Sequence, residues 1–353
     1  MQTVTITRPD DWHVHVRDGA LLNLVVPDTA RRFGRAIVMP NLNPPVTTVA
    51  QARQYRERVV AAAPAGSGFQ PLMTLYLRED MQPGDVAEAK ASGVVHAIKW
   101  YPAGATTNSQ HGVRSVERCY PVFAAMQEQG LPLLVHAETT DPDVDVFDRE
   151  AVFIDGVLAP LIERFPAMPV VIEHLTTRHA VQFLRDAAPN VGGTITPHHL
   201  LLNRSDMFVG GLRPHLYCLP ILKREVHRQA LIEAATSGEA RFFLGSDSAP
   251  HSRQAKESAC GCAGIYTAHA AIELYAEVFE QAGALDRLEA FSSFHGADFY
   301  GLPRNTQRIA LEKKPWSVPE TLQFEDEALV PFRAGDAVNW RLVEPGGGEG
   351  ANG

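Results

Sequence analysis

Two histidines stand two positions apart, at His13 and His15, near the end of a short apolar segment. Residues i and i+2 of a strand point to the same face, so both imidazoles would face one way and Val14 the other. Two imidazoles held side by side suit Zn²⁺ or a similar divalent ion. Because the pattern is short, an ordinary pair of hydrogen-bonded histidines explains it as well.

Three more residues of metal-ligand type, His136, His174 and Asp247, also follow apolar runs. Taken singly, each of these histidines is more often a core or supporting residue than a ligand, and Asp247 could cap a turn through its side chain. Burying four histidines and a carboxylate at strand ends of one domain is costly without a purpose. Together they favour a metal site over five unrelated structural roles.

Lys99 ends another apolar run, although a protonated lysine has no lone pair and repels cations. One interpretation is a salt bridge to Asp247. The other is a desolvated lysine whose lowered pKa leaves a neutral amine. Such an amine can add carbon dioxide and become a carbamate, a carboxylate on a long arm that could bridge two ions.

Arg17, two residues beyond His15, could bind a substrate carboxylate through its guanidinium fork, or lie on the surface as an ordinary arginine. Asn41 could donate from its amide or serve as a turn residue. His251, four residues after Asp247, could donate to the same carboxylate. The small, polar segment 103–112 is typical of a mobile loop, or of a plain connector.

Eight short apolar runs must position these residues, and helical patterns separate them. The predicted strands are Asp11–Val16, Arg35–Pro40, Pro71–Tyr76, Val94–Lys99, Leu131–His136, Val170–His174, Gly193–Pro197 and Arg241–Asp247. Strands that alternate with helices predict βαβ units and a parallel sheet, and eight units favour a closed (β/α)₈ barrel of the TIM type. Since the strands of such a barrel carry the active site at their C-terminal ends, the candidates would meet at one rim.

The helical patterns are equally regular until the last part of the chain. Predicted helices cover Thr48–Ala62, Pro83–Ala91, Pro121–Gln129, a segment capped by Thr177, Lys223–Thr236, and a segment from Ile265 to Phe279. We expect a single domain over residues 1–343, irregular beyond Leu302. A Gly-rich tail at 344–353 is predicted to be disordered.

Composition argues against several classes of partner. The net charge is −9, with no block of lysine and arginine, which disfavours nucleic acid and anionic membranes. No apolar run approaches the roughly 18 residues that span a bilayer, and no signal peptide is evident. Four cysteines without a disulfide framework predict free thiols and a cytoplasmic protein, although Cys260 and Cys262 could ligate a metal.

In order and spacing, these residues resemble the amidohydrolase superfamily, and within it the dihydroorotase family, from Arg8 to about Leu302. The motifs that carry the resemblance are Asp11–Asp18, Met39–Leu42, Ala97–Pro102, Leu134–Glu138, Ile172–His174 and Gly245–His251. The resemblance implies a cyclic amide hydrolase of de novo pyrimidine biosynthesis. Such an enzyme interconverts N-carbamoyl-L-aspartate and L-dihydroorotate, and is a homodimer.

The resemblance also implies two Zn²⁺ per subunit. His13, His15 and Asp247 would hold the more buried ion, His136 and His174 the second, and Lys99, as N6-carboxylysine made with CO₂, would bridge them. A hydroxide between the ions would attack the ring carbonyl, and Asp247 would carry its proton to the leaving nitrogen. The net positive charge that remains suits a small anionic substrate.

Substrate contacts are implied in the same way. They come from His15, Arg17, Asn41, Thr106, Thr107, His136, Leu219, His251 and Ala263, with Leu219 and Ala263 acting through their backbones. Thr106 and Thr107 would close over the ring. Two alternatives stay open: a hydantoinase-like enzyme that accepts an uncharged ring, against which Arg17 and His251 argue, and a non-catalytic barrel scaffold, against which the filled ligand positions argue.

Overall fold

Eight parallel strands form the centre of the molecule in the computed structural model, which describes residues 2–343. Each strand pairs with its neighbour in the sequence, as a (β/α)₈ barrel requires. After β1 (Thr3–Thr7), the barrel strands are β2 (Asp11–Val14), β3 (Arg35–Val38), β4 (Gln70–Tyr76), β5 (Val95–Trp100), β6 (Leu133–Val135), β7 (Val170–Ile172), β8 (Val191–Ile195) and β9 (Phe242–Leu244). All eight predicted strands are confirmed, with shifts of a few residues at their ends.

Helices follow the strands and pack against them. They are α1 (Ala20–Arg32), α2 (Val49–Ala62), α3 (Pro83–Ala91), α4 (Tyr120–Gln129), α5 (Arg149–Phe153), α6 (Ala159–Arg164), α7 (Arg178–Asp186), α8 (Pro197–Leu201), α9 (Glu225–Thr236), α10 (Arg253–Lys256), α11 (Ala271–Gln281) and α12 (His295–Phe299). Local signals set several of their ends. Thr177 caps α7 by accepting from Ala180 N at 3.0 Å, and Gly130 ends α4 in the left-handed region at φ 59°.

The barrel strands are buried almost completely, and alternate residues divide between two apolar clusters. Inside the barrel, residues such as Ile37, Leu134 and Phe243 pack together with Trp12. Residues at the intervening positions, such as Val38 and Leu133, belong to the larger cluster that the outer helices cover. Because both faces are apolar, only the strand ends remain for polar chemistry.

The barrel closes where β2 meets β9, and we call this junction the seam. Asp247 N donates to His13 O at 2.8 Å, and His15 N donates to Ser248 O at 3.0 Å. The buried Asp11 carboxylate reinforces the seam: its Oδ1 accepts from His13 N at 3.1 Å and Ser246 N at 2.8 Å, and its Oδ2 from Ser246 Oγ at 2.5 Å. One side chain thus ties the first barrel strand to the last.

The prediction of an irregular chain after Leu302 is wrong. The structure contains β10 (Arg308–Ser317), β11 (Leu322–Phe324), β12 (Glu327–Leu329) and β13 (Ala337–Leu342). β10 pairs antiparallel with β1 and with β13, while β11 pairs with β12. One partner of β10, strand β1, lies at the other end of the chain, so no local sequence pattern indicates that pairing. The predicted tail at 344–353 lies outside the described residues.

The helix predicted from Ile265 to Phe279 is shorter than expected. α11 begins at Ala271, after a 3₁₀ turn at Ala268–Ala270. Ile265 instead forms a parallel bridge with Ser248, and His269 lies in the turn. Both residues are buried in the loop after β9, and their spacing in the sequence happens to match a helical period.

Two further expectations concern the chain as a whole. None of the helices within residues 2–343 is long and apolar enough to cross a membrane. All four cysteines are free thiols, and the Sγ atoms of Cys260 and Cys262 lie 3.9 Å apart.

Removing the Asp11 carboxylate should destabilise the protein strongly. Asp11→Ala leaves a buried hydroxyl and two buried N–H groups without their hydrogen-bond acceptor. We therefore expect a loss of about 2–4 kcal/mol in the free energy of unfolding. Asp11→Asn retains an acceptor oxygen for the two N–H groups and should lose only about 1 kcal/mol. Denaturant titration measures both values.

Asp298→Ala is the control, because it breaks a half-exposed ion pair with Arg304 and should change the stability by less than about 1 kcal/mol. Equal effects of Asp11→Ala and Asp298→Ala would contradict the role of Asp11 at the seam.

Candidate metal centre

His13, His15 and Asp247 come together at the C-terminal end of the barrel. Asp247 Oδ1 lies 3.2 Å from Nε2 of each histidine, and the two Nε2 atoms lie 3.3 Å apart. Donors arranged tetrahedrally around Zn²⁺ at its usual bond lengths are separated by about 3.4 Å. The three buried atoms therefore form one face of a site for a divalent ion.

The other ring nitrogens of these histidines fix which nitrogen carries a proton. His15 Nδ1 lies 2.9 Å from Asn41 Oδ1, an oxygen that only accepts, so Nδ1 is the protonated nitrogen. His13 Nδ1 lies against Glu173 Oε2, although it makes no hydrogen bond in the described chain. His15 Nε2 consequently keeps a lone pair directed at the shared point, and a carboxylate behind the His13 ring is typical of metal-bound histidines.

A second pair of histidines, His136 and His174, lies beside the first group. Their ring centroids are 4.7 Å apart, and the His174 ring is 5.1 Å from that of His13. His136 Nε2 lies 2.9 Å from Glu138 Oε2. Among residues 2–343, the buried His174 Nδ1 has no hydrogen-bond partner. An orphaned imidazole nitrogen next to a donor cluster fits a second ion.

Lys99 is fully buried between the two groups. Its Nζ lies 3.3 Å from Glu173 Oε2, the same oxygen that His13 contacts. In the described chain Lys99 therefore forms its ion pair with Glu173. The salt bridge to Asp247, one of the two interpretations of the sequence, is not formed. Burial lowers the pKa of Lys99 well below its ordinary value, opposed by the charge of Asp247. The environment therefore favours the neutral amine.

Burial sets the protonation states of the other donors too. It lowers the pKa of His13 to about 3 and depresses the pKa of His15 and His174. Burial alone would raise the pKa of Asp247, but the neighbouring His13 and His15 hold it well below its usual range. Neutral imidazoles around an ionised carboxylate are the states that ligate a cation.

Three site residues occupy the left-handed backbone region: Arg17 at φ 55°, His174 at φ 44° and Asp247 at φ 43°. Such strain persists where the surroundings hold it, and it aims a side chain where a regular strand would not. Gly245 is required for a different reason, the lack of space for a side chain. A Cβ there would lie 2.6 Å from Thr194 Cβ and 3.1 Å from His13 Cβ. The strand that delivers Asp247 thus passes close behind a ligand histidine.

Arg17 lies at the mouth of the site without a carboxylate partner, since none of the ion pairs described for residues 2–343 includes it. Its Nε donates to Pro250 O at 3.1 Å, and its Nη2 lies 2.9 Å from His251 Nε2. His251 Nε2 also lies 3.0 Å from Ala263 O. Backbone and histidine contacts hold the guanidinium at the cavity.

The loop at 103–112 covers this mouth. Asn41 Nδ2 donates to Thr107 O at 3.1 Å, and Thr107 Oγ1 donates to Ala263 O at 3.3 Å. A small cavity of about 20 Å³ remains beneath it. It is lined by His13, His15, Arg17, Asn41, Tyr101, Thr106, Thr107, His136, His174, Leu219, Asp247, Ala249, Ala263 and Gly264. Of the predicted site residues, only Lys99 and His251 do not line it: Lys99 is buried behind it and His251 contacts it through Arg17.

Sequence reasoning missed the residues that support the ligands. Glu173 contacts His13 and Lys99, Glu138 contacts His136, and Lys99 Nζ lies 5.0 Å from the centroid of the Tyr101 ring. A signal existed for two of them, because Glu138 follows His136 by two positions and Glu173 directly precedes His174. Buried carboxylates beside ligand histidines are typical partners for the second ring nitrogen.

Comparisons with known proteins agree with this geometry. The sequence profile of the amidohydrolase family matches residues 7–325. A dihydroorotase of Methylobacillus flagellatus is 64% identical over 342 residues, covering 97% of this chain and 99% of the relative. Crystal structures of dihydroorotases from Campylobacter jejuni and Saccharomyces cerevisiae, the latter with 5-fluoroorotic acid, both superpose with a TM-score of 0.89 over 97% of this chain. They are 36% and 35% identical, over 98% and 99% of their own chains, respectively. An L-hydantoinase of Arthrobacter aurescens, 17% identical over 96% of this chain and 83% of its own, has a TM-score of 0.76 and shares the fold.

The donor geometry predicts how much metal the protein takes up. After treatment with a chelator, wild-type protein dialysed against Zn²⁺ should bind about two ions per chain, as paired-ion sites of this kind do. His174→Ala removes a donor from the second group only and should lower the content to about one. Elemental analysis measures the ratio of metal to protein.

His179→Ala is the matched control, since His179 is an exposed histidine that pairs with Asp155. It should leave the metal content unchanged. Wild-type protein that binds no Zn²⁺ would exclude a metal centre at this rim.

Proposed function

The chain belongs to the amidohydrolase family, and on that premise we propose how its residues divide the work of a dihydroorotase. The activity is that of a cyclic amide hydrolase, which interconverts L-dihydroorotate and N-carbamoyl-L-aspartate. One observation carries the proposal: three convergent donor atoms line the same cavity as Arg17, which has no carboxylate partner within residues 2–343. The test is a dihydroorotate assay with and without chelator.

The donor set fits two divalent ions, for which we propose Zn²⁺. His13, His15 and Asp247 would hold one, and His136 and His174 the other. Lys99, as a carbamate formed from its neutral amine and CO₂, would contribute to both. When bound, such ions polarise a carbonyl group and make water nucleophilic at neutral pH. The orphaned His174 Nδ1 and the buried, weakly basic Lys99 amine support this assignment.

Arg17 would bind the substrate carboxylate. A guanidinium offers two parallel N–H donors that match the two oxygens of a carboxylate. Asn41 and His251 flank it and would complete the anion site, and the backbones of Leu219 and Ala263 would face the ring. This set of donors distinguishes an acidic ring from an uncharged one.

Asp247 would move the proton. Its Oδ1 lies 3.2 Å from Nε2 of both His13 and His15, which leaves Oδ2 as the second carboxylate oxygen. That oxygen could accept a proton from the attacking water and give it to the departing amide nitrogen, and the reverse reaction would use the same transfers. The low pKa of Asp247 keeps its carboxyl group ionised before the reaction.

The loop at 103–112 would exclude water from the reacting ring. Thr107 already contacts Ala263 across the mouth, and Thr106 lines the cavity beside it. Opening and closing of such a loop admits substrate and releases product. We further propose that the protein works in the cytoplasm, as a homodimer, in pyrimidine synthesis.

A hydantoinase-like activity on uncharged rings is the competing proposal. Arg17 disfavours it, because a neutral ring would leave the guanidinium without an anionic partner. The relative rates on dihydroorotate and dihydrouracil decide between the two. A non-catalytic scaffold would turn over neither compound.

Asp247→Asn should lose turnover. The amide cannot accept the proton, so we expect kcat to fall by about 10²–10⁴-fold, as on removal of a general base. Asp298→Asn, an exposed substitution, serves as the control. Metal content is measured on the same samples. Turnover close to that of the wild type would refute proton transfer by Asp247.

Arg17→Met should mainly weaken substrate binding. Loss of a charge-assisted contact predicts a KM for dihydroorotate raised by about 10–100-fold. Arg304→Met, which removes an exposed arginine, should leave KM unchanged. An unaltered KM in Arg17→Met would assign the carboxylate to another residue.

A further inference from the structure

Lys256, the last residue of α10, is a buried lysine in a loop region outside the metal centre. Its Nζ lies 2.7 Å from Tyr217 O, 2.8 Å from Cys262 O and 2.9 Å from Gly264 O. Three hydrogen bonds are the full donor capacity of an ammonium group. Every acceptor is a backbone carbonyl, and none of the ion pairs described within residues 2–343 involves Lys256. The ammonium group of Lys256 therefore holds the backbone in place and does not neutralise a carboxylate.

The three carbonyls belong to the two segments that deliver backbone to the cavity. Tyr217 lies two residues before Leu219, and Cys262 and Gly264 lie on either side of Ala263. Leu219 and Ala263 both line the cavity, whereas Lys256 does not. Lys256 thus joins the two segments from behind, at a position where it does not touch the substrate space.

Both cavity residues have backbone N–H groups free for a ligand. Within the described chain, neither Leu219 N nor Ala263 N donates a hydrogen bond to a protein acceptor. The Ala263 carbonyl, in contrast, already accepts from His251 and Thr107. Unpaired N–H groups at a cavity are costly unless a ligand or water accepts from them.

The backbone around Ala263 does not hold its shape by itself. Cys262 lies at φ 24° and Gly264 at φ 150°, both in the region that L-residues rarely adopt. A Cβ on Gly264 would lie 2.7 Å from Ala249 O. Conformations of this kind persist when surrounding contacts impose them, and here the ammonium binds the carbonyls on both sides.

We propose that Lys256 is a positioning residue for substrate binding, which fixes the Leu219 and Ala263 backbones at the spacing that the ring requires. The proposal rests on the proposed function, since it takes a ring amide as the group that those backbones meet. In the described chain Lys256 does not line the cavity and its hydrogen bonds reach no metal-ligand candidate, so its loss should affect binding more than chemistry.

Lys256→Met keeps the apolar length of the side chain and removes the three donors. We expect KM for dihydroorotate to rise by about 10–100-fold, with kcat changed less than about threefold. The dissociation constant of 5-fluoroorotic acid, a ring that does not react, should rise in parallel when measured by calorimetry. The content of bound metal should stay at the wild-type value.

Lys223→Met is the matched control. Lys223 is also buried, its Nζ donates to Ile221 O at 3.0 Å, and neither residue lines the cavity. It should change KM and the inhibitor constant by less than about threefold. Equal increases in the two variants would show a general loss of packing and overturn the positioning role.

Lys256→Gln gives a second test if Lys256→Met does not purify as a folded protein, because its amide retains two donors. The KM of Lys256→Gln should lie between those of the wild type and Lys256→Met. If Lys256→Met cannot be purified, the KM of Lys256→Gln should still exceed that of the wild type. Wild-type KM and inhibitor binding in the folded variants would refute the inference. Wild-type protein without dihydroorotate turnover would instead refute the proposed function, while calorimetry with 5-fluoroorotic acid still tests Lys256.

Discussion

The structure depends first on the closure of the barrel between β2 and β9. The carboxylate of Asp11 holds that junction by accepting from His13 N, Ser246 N and Ser246 Oγ. Of the residues that close the barrel, His13 is itself a ligand candidate, and Ser246 directly precedes Asp247. Fold stability and the spacing of three donor atoms are therefore one constraint. A barrel open at this point would separate Asp247 from both imidazoles.

Burial then decides the chemistry of the groups gathered there. Removal from water keeps the imidazoles neutral, while their proximity keeps Asp247 ionised. The same burial makes Lys99 a weak base, although Glu173 lies against it. Residues that contribute nothing directly to a ligand sphere, such as Glu138 and Asn41, fix the imidazoles from behind. The site is thus prepared by desolvation and by hydrogen bonds that orient the rings of His15 and His136.

Much of this could be predicted from the sequence because buried parallel strands appear as continuous apolar runs. A histidine or aspartate at the end of such a run is conspicuous, which is how His136 and Asp247 were identified. Roles that depend on distant partners left no local trace. Asp11 meets Ser246 across 235 positions, and Lys99 meets Glu173 across 74. The pairing of β1 with β10 also joins segments that are far apart in the sequence. The alternating burial of the short strand β13 does not indicate that pairing.

Asn41 places two tasks on one amide group. Its oxygen orients the imidazole of His15, and its nitrogen holds Thr107 in the covering loop. A single side chain therefore couples a ligand histidine to the loop that covers the cavity. A substitution there that alters which rings fit beneath the loop also alters the histidine, which makes this position a poor starting point for engineering new specificity.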